Sequence, residues 1–164
     1  MPVETRPEAE HRNGQFSDAV EPEDYAVINA VYAALLGGLV YATRESVKQD
    51  PIRAGELLPL GAATFAVSKV IAREKIGTWM REPFVEDAGH GGKPRGRRLQ
   101  RALGELVTCS RCVGAWSALG VVGLRAASPD AGRLVTWVLA TSALNDWAQL
   151  GFAWARAKAN RVPR

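Results

Sequence analysis

Cysteine is scarce in this 164-residue chain, which contains only Cys109 and Cys112, separated by two residues. A disulfide between two such close cysteines could not link distant parts of the chain, so a disulfide-stabilised secreted scaffold is excluded. Histidine is equally scarce, because only His11 and His90 are present, each in a segment that we predict to be flexible. No apolar leader follows a basic start, and this pattern favours a cytosolic or cytosol-facing location.

Recognisable catalytic motifs are missing as well. The sequence has no glycine-rich nucleotide loop after a strand, no His-Glu-x-x-His pair and no Gly-x-Ser-x-Gly elbow. It also lacks a sustained alternation of apolar and polar residues, which is the pattern that marks half-buried strands. We therefore predict an all-α protein with no catalytic residue and no cofactor of its own.

Positive charge exceeds negative charge, with 21 Lys and Arg residues against 17 Asp and Glu residues. Residues 1–24 carry a net charge of −5, so the remaining 140 residues carry +9. This positive charge of the remaining residues is compatible with binding either to nucleic acid or to an anionic membrane surface. The densest basic run, residues 93–98, has no aromatic side chain on which bases could stack, so nucleic acid is the less favoured partner.

Apolar residues are concentrated in four runs, at residues 25–43, 57–72, 106–125 and 134–155. The first run has nineteen residues without a charge, close to the roughly 20 that a helix needs to cross a bilayer. The second has Lys69 near its end, the third is short unless it begins near Leu106, and the fourth contains Asp146. We therefore predict four hydrophobic helices, three or four of which span a membrane.

The polar segments complete the predicted organisation. Residues 1–24 are acidic and poor in large apolar side chains, so we expect a disordered arm. Residues 25–156 form the helical membrane domain, and residues 157–164 form a basic tail. Within the domain, residues 73–85 have an amphipathic pattern typical of a segment lying at the membrane surface. The glycine-rich and basic residues 86–98 are expected to form a flexible loop.

Basic residues are distributed unevenly among the segments that would connect four spans. Fifteen lie in the arm, in the segment 73–112 and in the tail, whereas five lie in the two other connections. The positive-inside rule then places both termini, the basic loop and the two cysteines in the cytoplasm. The lipid bilayer is the first partner that the sequence predicts.

Three short elements, in this order, resemble those of a known family. They are Thr64-Phe65-Ala66-Val67-Ser68-Lys69, Arg81-Glu82-Pro83-Phe84 and the string Leu106–Trp116, which contains Thr108-Cys109-Ser110-Arg111-Cys112. Over roughly residues 57–155 the chain is similar to a bacterial family catalogued as the thirteen-sixty domain of unknown function. It departs from that family at Ala66-Val67, where an arginine is more frequent, and it has an added N-terminal helix. The resemblance implies a small integral protein of the bacterial inner membrane and transfers no activity.

Three roles are open for Cys109 and Cys112, which lie at the start of the third apolar run. In the role that we favour, they are small apolar residues that pack together with Gly114 and Trp116. As zinc ligands they would supply two of four positions, so a second subunit would have to supply another pair. As a redox dithiol they would benefit from a helix N-terminus and Arg111, which favour the thiolate, but no thioredoxin-like pattern surrounds them.

Lys69 and Asp146 are polar residues that interrupt apolar runs. An acidic group inside a membrane indicates a functional site with a cationic partner, for which Lys69 and Arg125 are the candidates by depth. In the alternative that we favour, the fourth helix tilts or ends early and leaves Asp146 at the membrane surface.

The predicted function is that of a structural or interaction component of a membrane complex, as a homo-oligomer or with other membrane proteins. Small residues four positions apart, at Ala33 and Gly37 and at Ala34 and Gly38, permit the close helix approach that such assembly needs. One alternative is a membrane-bound thiol redox or metal-binding protein that uses the two cysteines. The second alternative is a soluble helical module that binds an acidic partner.

Overall fold

The computed structural model describes residues 20–86 and 92–160, and these residues form six α-helices without a strand. The helices are α1 (Pro22–Gln49), α2 (Leu57–Arg73), α3 (Thr78–Arg81), α4 (Leu99–Thr108), α5 (Ser110–Ala127) and α6 (Pro129–Ala159). Short 3-10 turns at Ala54–Glu56 and Lys75–Gly77 precede α2 and α3. The all-α prediction is confirmed. His11, His90, most of the predicted arm and the end of the basic tail lie outside the described residues.

Helix α1 begins within the sequence predicted to be an arm, because its first turn has strong start signals. Pro22 occupies a first-turn position, where its missing N–H is no loss, and Glu23 and Asp24 place negative charge at the positive end of the helix dipole. The Asp24 carboxylate also accepts a hydrogen bond from the Glu21 backbone N–H at 3.2 Å. These contacts fix the start of the first apolar helix.

The centre of the molecule is the packing of α2 against α5 and α6. Leu60, Ala63 and Val121 form the buried core cluster, and Ala63 and Ala143 are completely buried. Such small side chains let helix backbones approach closely, which is how helices associate where no water drives them together. Helix α1 packs against α5 at the edge of this group, where a Cβ atom added at Gly123 would lie 3.0 Å from the Leu39 side chain.

The third predicted helix is broken in two. A single helix near residues 106–125 was expected, but α4 ends at Thr108, α5 starts at Ser110, and their axes differ by 87°. Cys109, between them, has an extended backbone with φ −93° and ψ 103°. Its backbone N–H still bonds to Glu105, whereas its side chain caps α5, so the chain turns a corner at this residue.

Two helical segments are long and apolar enough to cross a membrane, namely α1 and Ala54–Arg73. The bent pair α4 and α5 makes a third if it is one broken span. Helix α6, which corresponds to the fourth apolar run, is not among these candidates. The described residues therefore support two or three spanning helices, and the fourth predicted span is not confirmed.

The segment between α2 and α4 folds over the end of α2. The predicted amphipathic stretch 73–85 consists of a 3-10 turn, the one-turn helix α3 and a following turn. Val85 and Pro94 then form an isolated bridge that brings the two sides of the glycine-rich loop together. Helix α4 passes so close that a Cβ atom at Gly104 would lie 2.5 Å from the Phe84 carbonyl oxygen. This close packing explains a glycine at position 104.

Candidate functional site

The two cysteines form a close pair at the corner between α4 and α5. The Cys112 backbone N–H donates to the Cys109 sulfur at 3.3 Å, and the two Sγ atoms are 2.7 Å apart. Both are free thiols, with Cys109 half-buried and Cys112 exposed. An S–S bond is about 2.05 Å long, so a shift of less than about 1 Å would join them. The geometry thus permits reversible disulfide formation.

A cavity of about 580 Å³ opens beside this pair, and we call it the thiol pocket. It is bounded by three elements, α1, α4 and α5, which contribute Tyr25, Ile28, Asn29, Tyr32, Ala102, Glu105, Leu106, Cys109, Cys112, Ala115 and Trp116. Its volume lies in the range of about 300–1,000 Å³ that is typical of small-molecule sites. The cysteines therefore face a space that a ligand can enter.

A second cavity of about 300 Å³, the apolar crevice, adjoins the thiol pocket and shares Ile28, Leu106 and Trp116 with it. The crevice is lined only by apolar and aromatic side chains, the other four being Val27, Val31, Leu99 and Leu103. The two cavities therefore lie side by side, one next to the thiols and the other between α1 and α4.

Aromatic and polar contacts hold the walls of the thiol pocket in place. The ring of Tyr32 on α1 meets that of Trp116 on α5 edge-to-face, with centroids 5.2 Å apart. The Tyr25 hydroxyl donates to the Glu105 carboxylate and ties α1 to α4. Trp116, singled out from the sequence, thus contacts the pocket, whereas a Cβ atom at Gly114 would meet nothing within 4 Å.

Metal ligation can be examined only in the part of the chain that the structure describes. Within residues 20–86 and 92–160, no three His, Cys, Asp or Glu side chains are grouped so that they could hold a metal ion. The zinc alternative, in which Cys109 and Cys112 of two subunits meet, stays a prediction.

Lys69 and Asp146, the polar residues of the second and fourth apolar runs, are brought together. The Lys69 ammonium lies 3.0 Å from the Asp146 carboxylate and 2.9 Å from that of Glu74. We call these three residues the Lys69 cluster. About a third of the Lys69 and Asp146 side-chain surfaces is exposed, so the acid on α6 is paired and lies near one end of the helix bundle.

A second ionic group, the Arg125 cluster, closes the opposite end of the bundle. Arg125 is completely buried, and its guanidinium donates to the Glu56 carboxylate at 2.6 Å and 3.0 Å. Asp50 lies 3.3 Å from Arg125 and also accepts a hydrogen bond from Arg133. The cluster joins the ends of α1 and α5 to the starts of α2 and α6. The sequence marked Arg125 as the end of an apolar run and as a candidate partner of Asp146, and the structure pairs it with Glu56 and Asp50 instead.

Arg81, in the Arg-Glu-Pro-Phe element, is a buried capping residue. Its guanidinium donates to the backbone carbonyls of Ile71 and, at 3.0 Å, of Glu74. These carbonyls lie at the end of α2, where the helix dipole favours a cation. This element therefore fixes the turn after α2, a role that the spacing of the motif did not reveal.

The fold thus defines a class, that of small all-α proteins with two or three helices apolar enough to cross a membrane. More particularly, the chain belongs to the family described as "Protein of unknown function (DUF1360)", whose model matches residues 59–152. The resemblance inferred from the three sequence elements is thereby confirmed. No curated protein and no solved structure matches the chain. Helix α1, which forms one wall of the thiol pocket, precedes the matched region.

Proposed function

We propose that this chain is an integral membrane protein that acts through helix packing, as a structural or interaction component of a membrane assembly. The observation that carries the proposal is the large apolar surface of α1 and α6. Val40, Trp137 and Leu150 are each at least 61% exposed, and many other large apolar side chains of these helices are exposed too. Water-soluble monomers rarely expose contiguous apolar patches of more than a few hundred Å².

The two ionic clusters support the same proposal, because they bound an apolar belt. Glu56, just before α2, is thirteen positions from Lys69, and Arg133 is thirteen positions from Asp146 along α6. At 1.5 Å per residue, each interval is about 20 Å long. A bilayer core is about 30 Å thick, so a centred belt would place each cluster about 5 Å inside a boundary, where charged groups pair with one another. Such pairing is what both clusters show.

The proposed partner is another transmembrane helix, in a second copy of this chain or in another membrane protein. A Cβ atom at Gly37 or Gly38 of α1 would meet nothing within 4 Å, so these small residues have open space beside them. The last two turns of α6 are exposed on all sides and include Phe152 and Trp154. Both surfaces can be buried by helix association.

We expect the protein to remain in the membrane pellet after washing at alkaline pH and to be released by a mild detergent. The reason is that exposed apolar helices are stabilised by the bilayer core and not by charge at its surface. The measurement is the distribution of the full chain between pellet and supernatant. Detergent release provides the control for aggregation, because an aggregate would stay in the pellet. Release by the alkaline wash would contradict the proposal and favour the soluble module.

The proposed location is a bacterial inner membrane, with both termini and the cysteines on the cytoplasmic side. The fifteen-to-five distribution of basic residues supports this orientation. We expect Cys112, which is exposed, to resist a membrane-impermeant maleimide in intact cells and to react after permeabilisation. In a Cys109→Ser/Cys112→Ser background, Asp130→Cys at the opposite end should react in intact cells, because Asp130 is fully exposed. The reversed labelling pattern would overturn the orientation.

The close thiol pair favours a second candidate function, that of a membrane-bound dithiol that cycles with a disulfide. Its support is the 2.7 Å separation of the Sγ atoms at the edge of an open cavity. A residue that only packs has no need of either feature. We expect diamide, a small soluble thiol oxidant, to convert both thiols of the reduced protein into a disulfide, and alkylation followed by mass spectrometry measures the loss of free thiols.

A further inference from the structure

We propose that the thiol pocket and the apolar crevice together bind a lipid-soluble quinone, which the Cys109–Cys112 dithiol reduces. The quinone ring would lie in the thiol pocket and its hydrocarbon tail in the crevice. The proposal rests on the second candidate function and on membrane residence, and it adds the chemical class of the oxidant.

The thiol pocket and the apolar crevice together favour a ligand with two different parts. A space of about 580 Å³, which contains the thiols and a few polar side chains, adjoins a purely apolar space of about 300 Å³ at the shared residues Ile28, Leu106 and Trp116. This division matches a ligand with one functional head and one hydrocarbon tail. A compact water-soluble ligand would leave the crevice unfilled.

The residues that line the thiol pocket favour a neutral ring with carbonyl groups. Tyr32 and Trp116 offer aromatic surfaces to a ring, and the Asn29 amide can donate a hydrogen bond to a carbonyl oxygen at its edge. Glu105 is the charged residue among those that line the two cavities. Its negative charge disfavours an anionic nucleotide cofactor, whereas a neutral quinone has no charge to be repelled.

The reaction balances in two electrons and two protons. The Cys109 and Cys112 thiols lose one proton and one electron each as the S–S bond forms. The quinone gains the same two electrons and two protons at its two carbonyl oxygens and becomes a quinol. Because the Sγ atoms are 2.7 Å apart, the two sulfurs are already in contact before the bond forms. The Glu105 carboxylate, bonded to the Tyr25 hydroxyl, can accept and pass on a proton at the pocket wall.

The test is a single turnover of the full-length protein, purified in detergent, reduced, freed of reductant and kept without oxygen. Decylubiquinone is added, quinol formation is followed by absorbance, and free thiols are counted by alkylation and mass spectrometry. We expect one quinol per chain and a fall from two free thiols to none. Cys112→Ser should form no quinol, because a single thiol cannot close the disulfide.

A bulky residue in the crevice provides the test of the tail site. We expect Leu103→Trp to raise the half-saturating concentration of decylubiquinone at least about tenfold, because several buried methylene groups are displaced. The same variant should react normally with ubiquinone-0, which has no tail. Leu134→Trp, at an exposed position of α6 outside both cavities, is the matched control and should resemble the wild type with both quinones. Equal losses of Leu103→Trp with both quinones would overturn the two-part site.

A parallel experiment with diamide, a small soluble thiol oxidant, tests the dithiol function separately from the quinone site. If diamide forms the disulfide and decylubiquinone forms no quinol, the dithiol function stands and the quinone site is wrong. If neither oxidant closes the disulfide, the dithiol function is wrong as well and the packing role of the cysteines is supported.

Discussion

Arg125→Leu is expected to lower the free energy of unfolding by about 3–5 kcal/mol, the usual cost of removing one partner from a buried ion pair. The Arg125 side chain is 1% exposed, and it contacts both Glu56 and Asp50. Leucine would leave the Glu56 and Asp50 carboxylates with only the more exposed Arg133 as a cation at the point where four helix ends meet. The loss should appear in an SDS unfolding titration of the purified protein in mixed micelles.

Two further variants make this result specific to the buried cluster. Arg44→Leu removes an arginine whose pair with Glu45 is more than half exposed, and we expect a change of at most about 1 kcal/mol. Adding Glu56→Gln to Arg125→Leu should restore part of the lost stability, because one unpaired carboxylate is removed. An Arg125→Leu protein as stable as the Arg44→Leu protein would contradict the ion-pair argument.

Much of the helical content follows from composition alone, because long apolar runs without strand alternation leave few other structures. The sharp bend at Cys109 does not follow, since no proline or glycine lies between Leu106 and Val113 to mark it. The corner depends on a sulfur accepting a backbone N–H, and a hydropathy pattern does not contain that information. Boundaries set by one side-chain cap are therefore found only in the structure.

The ion pairs, too, could be predicted from the sequence only in part. The sequence offered Lys69 and Arg125 as partners of Asp146, and depth along a helix could not choose between them. Lys69 and Asp146 are 77 positions apart, so their contact depends on how α2 and α6 pack. Arg125 is instead enclosed by Glu56 and Asp50, which belong to the polar connection between α1 and α2. Glu56 and Asp50 are partly buried, although they belong to a connecting segment, because four helix ends converge there.

The thiol pocket could not be predicted from the cysteine motif, because much of its wall comes from α1. Tyr25, Asn29 and Tyr32 lie outside residues 59–152, the region shared with the family. The motif residues Cys109, Cys112 and Trp116 lie inside that region. A family member without an equivalent helix would leave these motif residues open on one side. The access that a ligand has to the cysteines therefore depends on α1, which lies outside the matched region.

Gly132→Ala is expected to destabilise the protein by about 3 kcal/mol, at the upper end of the usual range for overpacking. An added Cβ atom would lie 2.7 Å from the Arg125 backbone nitrogen and 2.9 Å from the Leu124 carbonyl oxygen. Both are backbone atoms of α5, so no side-chain rotation can relieve the contact. The two helices would have to separate, and that movement would also draw Arg133 on α6 away from Asp50.

Gly151→Ala is the matched control for this prediction, because it makes the same change in the same helix. A Cβ atom at Gly151 would meet nothing within 4 Å, and alanine is a better helix former than glycine by up to about 1 kcal/mol. We therefore expect Gly151→Ala to be as stable as the wild type or slightly more stable in the same SDS titration. If Gly132→Ala and Gly151→Ala behave alike, the close approach of α5 and α6 at Gly132 is wrong. If only Gly132→Ala loses stability, the glycine at position 132 is required by that approach, since both variants gain the same helix propensity.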